Sequence, residues 1–323
     1  MNRKSGLKEA VIRIFMNTGF TVFVSSFDLS DKAEFLRYPA AVVMTPFYLF
    51  RKLYNLISGR FEVDYAEIFL TTRCTLSCRD CSVLVPHIGK PVDYDSKSIK
   101  DDISAFLESI DRIYKFGMLG GESMLHRDFT EILSFLEESR KVKSIRVVTN
   151  GTYIPGENIL NALSESKKVH VNISRYPGMK KSIVTEFSQK LKERGVRYSV
   201  YSGMQWSDLG SVDMKPEKRA DVIEGRFRNC WMRRCPGIRD GRLYHCGRSA
   251  FLPLARSIEG GESDYVSLHA TDDTRIRRDM IRQLFKSKTL AACAYCYGTL
   301  ESRRVEPAIQ ATGKSKAEIL INR

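Results

Sequence analysis

The sequence predicts an α/β protein built on a parallel sheet. Between about residues 61 and 200, short apolar runs that look like strands alternate with segments of helical spacing. Such alternation is typical of βα units and of a parallel sheet or barrel. Five strands are expected, at Ala66–Thr72, Phe116–Leu119, Ser144–Thr149, Val169–Ser174 and Arg197–Tyr201. With a sixth strand beyond them, the fold is an incomplete (β/α)6 TIM-like barrel, short of the eight strands of a complete one.

The first 60 residues contain no cysteine and form an N-terminal extension. Within it, Ala40–Phe50 is strongly apolar, is followed by Arg51-Lys52 and is interrupted by Pro46. A bilayer span needs roughly 20 apolar residues, so this run is too short to cross a membrane. Two interpretations stay open: a helix packed on the main domain, or peripheral contact of residues 40–57 with an anionic membrane.

The helices expected between the strands are Ser96–Tyr114, Phe129–Glu138, Glu157–Ser164 and Met179–Arg194. After about residue 205 the alternation stops. Ile238–Tyr244 then predicts a hairpin, because Asp240-Gly241 can adopt the positive φ angles of a tight turn. The expected units are residues 1–60, a partial barrel over 61–228 and a small C-terminal domain over 229–323.

Composition is that of a folded globular protein, with 43% hydrophobic and 28% charged residues. A chain of 323 residues can bury a sufficient core without covalent cross-links, so the eight cysteines need another explanation. No secretory signal is recognisable, and we expect a cytoplasmic protein with reduced thiols. Grouped cysteines in that setting indicate metal ligands or catalytic thiols.

The net charge of +14 suits an anionic partner. The basic residues are scattered along the chain, however, and no familiar nucleic-acid motif accompanies them. We therefore expect a small-molecule substrate, phosphorylated or linked to a nucleotide, rather than a nucleic acid.

The first cysteine cluster is Cys74, Cys78 and Cys81, with three and then two residues between its members. It directly follows the first strand of the βα region, and the carboxyl ends of parallel strands are where such folds place their chemistry. Structural zinc takes four protein ligands, whereas three thiolates leave one iron of a cubane cluster open. A zinc site that uses His87 as its fourth ligand is the main rival.

This cluster resembles the signature of the radical S-adenosylmethionine (SAM) superfamily. Three further segments lie where that family has its cofactor contacts: Gly117–Glu122, Val147–Thr152 and Val171–Ser174. The resemblance implies a [4Fe–4S] cluster whose open iron binds SAM, and reductive cleavage of SAM to a 5′-deoxyadenosyl radical that abstracts hydrogen from a substrate.

The resemblance also assigns residues. It implies cofactor contacts from Gly120, Gly121 and Glu122 to the methionyl end of SAM, with Asn150 and Ser174 as further cofactor-binding residues. Two positions depart from the family pattern. Asp80 stands where an aromatic residue usually packs near the adenine, and Ser123 stands where proline often follows the Gly-Gly-Glu segment. Asp80 puts the usual adenine contact in doubt.

A second set of thiols is Cys235, Cys246, Cys293 and Cys296. Zinc and a [4Fe–4S] cluster both accept four thiolates. The arrangement of Gly241 five residues before Cys246, followed by Cys-x2-Cys, resembles the SPASM and twitch auxiliary-cluster domains of radical SAM enzymes. That resemblance implies an auxiliary [4Fe–4S] cluster. Cys230 is left over, and it is a replacement ligand, a hydrogen-atom donor of a catalytic kind, or a structural cysteine.

The resemblance favours a radical SAM oxidoreductase or epimerase that acts on a sugar-like or aminocyclitol-like molecule, with an electron donor such as flavodoxin or ferredoxin. A radical SAM maturase of a ribosomally made peptide is the alternative, although the first 60 residues show no winged-helix recognition domain. A zinc-containing RNA-binding protein is the second alternative.

Overall fold

The computed structural model describes residues 34–203, 205–256, 261–299 and 303–311, with side chains described from residue 45 onward. Its centre is an eight-stranded sheet. The strands of the described chain are β1 (Glu62–Phe69), β2 (Arg112–Leu119), β3 (Ile145–Thr149), β4 (Val169–Arg175), β5 (Tyr198–Ser202), β6 (Trp206–Ser207), β7 (Gly237–Arg239), β8 (Arg242–Tyr244), β9 (Tyr265–Ser267) and β10 (Arg304–Val305). The helices are α1 (Glu34–Ser58), α2 (Ser96–Glu108), α3 (Phe129–Glu138), α4 (Glu157–Glu165), α5 (Lys181–Glu193), α6 (Ala220–Asn229), α7 (Gly247–Arg256) and α8 (Thr274–Phe285).

The strand order in the sheet is β5-β4-β3-β2-β1-β7-β8-β9. Neighbours from β5 to β1 are parallel, and β7 is parallel to β1 on its other side, whereas β8 and β9 continue antiparallel. The α/β fold with a sheet rich in parallel strands is therefore confirmed. The sixth parallel strand lies beside β1, and the predicted hairpin belongs to the same sheet. The separation of a C-terminal domain stays a prediction.

Most predicted elements lie within one or two residues of their observed bounds, with three exceptions. The first strand was expected at Ala66–Thr72 but lies at Glu62–Phe69, and the second was expected at Phe116–Leu119 but begins at Arg112. The third exception is a helix that is shorter than predicted. The helix expected over Ser96–Tyr114 ends at Glu108, because the chain from Arg112 onward pairs with β1, starting with Glu62 opposite Arg112. Isoleucines at both helical and strand spacing made the local pattern ambiguous there. The amphipathic face of α2 buries Ile99, Ile103 and Phe106 against the sheet, as its spacing predicts.

Helix α1 runs through Pro46. Proline lacks an N–H donor, so it removes one helical hydrogen bond without ending this helix. Among the described residues, no helix is both long and apolar enough to cross a membrane.

Candidate functional site

The cysteine loop leaves the carboxyl end of β1 and is tied to its neighbours by backbone hydrogen bonds. Leu70 N–H donates to the Leu119 carbonyl at the end of β2, at 2.9 Å. Cys78 belongs to one small buried cluster with Leu76 and Ala308, and Cys74 and Cys81 pack against it. Tyr176 and Trp206 pack against this cluster, with their rings edge to face at 5.3 Å between centroids. The three predicted ligands are thus brought together.

Two glycines after β2 allow the chain to pass directly under the cysteine loop. Gly121 N–H donates to the Thr71 carbonyl at 2.8 Å. A Cβ atom on Gly120 would stand 2.5 Å from the same carbonyl oxygen, and one on Gly121 would stand 2.3 Å from the Arg73 carbonyl oxygen and 2.8 Å from the Cys74 Cβ. Since real Cβ atoms do not approach this closely, the position requires residues without a side chain.

Glu122 is completely buried directly after this glycine pair. Its Oε2 atom accepts hydrogen bonds from Thr149 Oγ1 and from Asn150 N–H, both at 3.0 Å. Its Oε1 atom has no hydrogen-bond partner among the described residues. Burial raises the pKa of Glu122 to about 7, against the opposing hydrogen bonds. A buried acceptor with no donor is costly, and a cationic donor supplied by a ligand would satisfy it.

Asn150 connects the end of β3 to the cysteine loop. Its Nδ2 group donates to Thr75 Oγ1 at 3.0 Å and lies 3.6 Å from the Cys74 sulfur. Ser174, at the end of β4, is buried and hydrogen-bonded to Tyr176 beside the thiols. All five residues predicted to contact the cofactor therefore lie at the carboxyl ends of β2, β3 and β4, around the three cysteines.

A segment near Gln310, which was not predicted from the sequence, covers the cysteine loop. Gln310 forms an isolated antiparallel bridge with Cys78. Its Oε1 atom accepts from Ser77 N–H at 2.8 Å, and its Nε2 group lies 3.8 Å from the Cys78 sulfur. Strand β10 anchors this segment by pairing with β6. The contact spans more than two hundred residues, and no local motif marks it.

The thiols of this loop suit a cluster that binds thiolates. Burial raises the pKa of Cys74 to about 12, so its thiolate requires a positive partner such as iron. Backbone N–H groups of residues 83–85 face the Cys81 sulfur and favour its thiolate against the pKa increase caused by burial. In the described part of the chain, no three His, Cys, Asp or Glu side chains are placed so that they could together hold a single metal ion. A cubane places its thiolates on separate irons, so its ligands stand farther apart. His87, the rival zinc ligand, is exposed.

The second group of thiols combines three members of the predicted set with Cys230 in one pocket, and the set of metal ligands stays a prediction. Cys230, Cys246, Cys293 and Cys296 line one pocket, together with Arg248 and other residues. Burial raises the pKa of Cys246 to about 12 and also raises that of Cys293, and in both cases Cys230 contributes through its charge. Cys235 does not line this cavity.

Cys235 lies next to a buried polar group on β1. Burial raises its pKa well above the usual range, the Glu67 carboxylate adds to that effect, and Arg146 opposes it. The Cys246 and Cys230 thiols also raise the pKa of Cys235, by smaller amounts, so Cys235 is near them as well. Glu67 accepts a hydrogen bond from Tyr65 at 2.6 Å, and burial raises its own pKa to about 7. Arg146, on β3, contacts Asn172 on the neighbouring β4. In the orientation that satisfies both groups, the Asn172 carboxamide oxygen accepts from the Arg146 Nε at 2.7 Å.

Arg248, at the start of α7, lies between the two cysteine groups. It is almost fully buried and donates to the Gly210 carbonyl at 2.5 Å. Its positive charge lowers the pKa of both Cys81 and Cys296, although burial is the larger, opposite effect on each. One buried cation therefore acts on a thiol of each group.

Residues 68–175 match the Radical SAM superfamily. The match covers about a third of the chain. The matched segment includes the three cysteines, the Gly-Gly-Glu segment and the ends of β3 and β4 described above, and enzymes of that superfamily use a [4Fe–4S] cluster and SAM.

Among curated proteins, the chain is similar to GTP 3′,8-cyclase of Listeria monocytogenes, with 32% identity over 114 residues, which cover 34% of this chain and 33% of that protein. It is also similar to GTP 3′,8-cyclase of Syntrophomonas wolfei, with 26% identity over 169 residues, or 50% of this chain and 47% of that protein. The matches thus span between a third and a half of these relatives. Among solved structures, anSMEcpe with bound AdoMet is 14% identical, with a TM-score of 0.47 over 81% of this chain and 96% of that chain.

Proposed function

We propose that this protein is a radical SAM enzyme that holds its cluster on Cys74, Cys78 and Cys81. The unpaired Oε1 of Glu122 carries this proposal, because it is a buried acceptor next to three grouped thiols and suits the amino group of SAM. When bound, the cluster and SAM supply hydrogen abstraction by a 5′-deoxyadenosyl radical. Because Gly120 and Gly121 have no side chains, the cysteine loop can lie directly against the chain that follows β2.

Asn150 and Ser174 belong to the same proposed cofactor site. Asn150 keeps Thr75 and Cys74 in place through its side-chain amide. Ser174 orients Tyr176, whose partly buried ring shields the thiols from water. Their role is to position the cysteine loop and to exclude solvent from it.

For the second metal site we propose an auxiliary [4Fe–4S] cluster on Cys230, Cys246, Cys293 and Cys296. The shared cavity of these four thiols supports this choice over the set that contains Cys235. Backbone N–H groups of Ser249 and Gly298 face the sulfurs of Cys246 and Cys296, at 3.4 and 3.3 Å, and such donors favour thiolates.

The proposed substrate is a small polar molecule, sugar-like or linked to a nucleotide, which is oxidised or epimerised. The buried group of Tyr65, Glu67 and Arg146 supports this class, because it offers a carboxyl, a phenol and a guanidinium to hydroxyl or phosphate groups. The names of the relatives, which refer to GTP, agree with a nucleotide. Cys235 lies beside this group, and we assign to it, rather than to Cys230, the role of hydrogen-atom donor to the substrate radical. After donation, an electron from a flavodoxin- or ferredoxin-type protein and a proton restore the thiol.

The assignment of ligands is tested by iron and labile sulfide content after anaerobic reconstitution. We expect about eight irons per wild-type chain, since each cubane contains four. The Cys74/Cys78/Cys81→Ala variant and the Cys230→Ala/Cys246→Ala variant should each retain about four. Cys235→Ala is the matched control and should retain all of them.

A loss of the second cluster in Cys235→Ala, together with its retention in Cys230→Ala, would contradict the revised set. Zinc without iron in every variant would refute the enzyme itself and leave the binding-protein alternative. Formation of 5′-deoxyadenosine from SAM under a strong reductant, abolished in the triple variant, is the complementary activity measurement.

A further inference from the structure

Helix α1 turns its polar side toward the sheet. The inward residues of its described part are Tyr48, Arg51, Lys52 and Asn55. Arg51 forms an ion pair with Asp64, and Lys52 pairs with the same carboxylate at 3.0 Å. Asn55 donates to Glu62 at 3.0 Å. These bonds to the first residues of β1 fix the rotation of the helix on the protein.

The opposite side of the same helix is apolar and exposed. Its large side chains are between 51% and 80% exposed, and they are Phe47, Leu49, Phe50, Leu53, Tyr54, Leu56 and Ile57. At about 100° per residue they cover roughly half of the helix circumference. A surface helix normally buries such a side. A contiguous exposed apolar patch of this kind marks an interaction surface.

A basic cavity of about 770 Å³ adjoins this apolar side, between α1, the start of β1 and the end of α8. Arg233, Arg234 and Lys286 line it, and in the described part of the chain none of them forms an ion pair with a carboxylate. Arg233 also lowers the pKa of Arg234, in addition to the larger effect of burial. An anion placed between these side chains would relieve that repulsion.

We propose that this side of the protein docks on an anionic lipid membrane, with the apolar face of α1 in the acyl boundary and lipid phosphates at Arg233, Arg234 and Lys286. An aromatic-rich apolar half-helix next to unpaired cations is the pattern of helices that lie in the membrane interface. The net charge of +14 adds a general attraction to acidic headgroups.

Vesicle flotation with the full chain tests this proposal. Wild type should bind vesicles that contain phosphatidylglycerol much more tightly than vesicles of phosphatidylcholine alone, and salt should weaken that binding. The variant Phe50→Glu/Ile57→Glu should bind at least about tenfold more weakly, because two apolar groups are lost from the interface. Ile276→Glu is the matched control, since Ile276 is 53% exposed on α8 at a different surface and should bind as wild type does.

The basic cavity is tested separately. Arg233→Gln/Lys286→Gln should lower binding to anionic vesicles by about fivefold per charge removed and leave binding to neutral vesicles unchanged. Thermal unfolding and iron content of each variant establish that it is folded, and neither depends on the proposed reaction.

Three results would overturn the proposal. Wild type could fail to bind vesicles of either composition. The Ile276 variant could lose as much binding as the Phe50/Ile57 variant. The wild type could also be a dimer that Phe50→Glu/Ile57→Glu converts to a monomer without vesicle binding, and the face would then belong to a second copy.

Discussion

Replacing Glu122 by glutamine separates two functions of one side chain. The Oε2 atom accepts hydrogen bonds from Thr149 and Asn150 at the carboxyl end of β3. The Oε1 atom is buried without a partner among the described residues. A glutamine oxygen can keep both existing hydrogen bonds. Its NH2 group then stands where Oε1 was, so a ligand ammonium meets a donor instead of an acceptor.

We therefore expect Glu122→Gln to fold and to retain iron but to bind SAM weakly. A hydrogen bond to a charged group contributes about 1.5–3 kcal/mol, which corresponds to about 10- to 150-fold in affinity. Equilibrium dialysis of SAM against reconstituted wild type and variant, matched in iron content, measures this difference. Unchanged affinity at equal iron content would refute the role of Glu122 as the acceptor.

The same substitution should stabilise the cofactor-free chain at high pH. Burial raises the pKa of Glu122 from its usual 4.5 to about 7. Between these values the unfolded chain releases a proton that the folded chain keeps, so the wild type loses stability as the pH rises, and the full loss is present above pH 7. At 1.36 kcal/mol per unit of pKa difference, the loss is about 3 kcal/mol.

Urea unfolding of the cofactor-free proteins measures this effect. Glu122→Gln should be more stable than wild type at about pH 8, by up to about 3 kcal/mol, and the difference should shrink below about 1 kcal/mol near pH 5. A variant that is less stable than wild type at the higher pH would show that the ionised carboxylate is better solvated than its burial indicates.

Three further substitutions, with one control, test the surroundings of the clusters. Gly121→Ala should destabilise the fold by about 1–3 kcal/mol and lose most iron from the first site, because its Cβ would meet the Arg73 carbonyl at 2.3 Å. Gly89→Ala, with no atom within 4 Å of its Cβ, should change neither iron content nor stability, as chemical denaturation can verify. Arg248→Met removes a buried cation between the cysteine groups, so the reduced clusters lose a favourable interaction and their reduction potentials should become more negative. A redox titration followed by electron paramagnetic resonance measures these potentials, and unaltered values would contradict the position proposed for Arg248. Gln310→Ala should increase the rate at which oxygen bleaches the cluster absorbance by a few-fold, since it opens the cover over Cys78, and an unchanged rate would count against that cover.

Local patterns were sufficient for the alternating part of the chain. The helix Phe129–Glu138 and the strands β3 to β5 lie within about one residue of their expected bounds. The apolar periodicity of each of these segments fits either a helix or a strand, but not both. The turn of the hairpin was also readable, and Asp240 and Gly241 have the positive φ angles that their residue types allow. The extra turns assigned to α2 failed because strand pairing with β1, a distant contact, outweighed helical spacing.

The sequence by itself determined the three cysteines, the Gly-Gly-Glu segment and the strand ends that surround them, since each is a short motif at the end of a local element. Only the tertiary structure decided which thiols share a cavity. Cys230 and Cys235 are five residues apart and are separated by the short helical turn between α6 and β7, yet only Cys230 lines the pocket of Cys246, whereas Cys235 has Glu67 as its strongest charged neighbour. The cover by Gln310 and the outward apolar face of α1 were decided in the same way. They depend on contacts between distant segments and on the choice of which side of a helix is buried, and neither is encoded in local spacing.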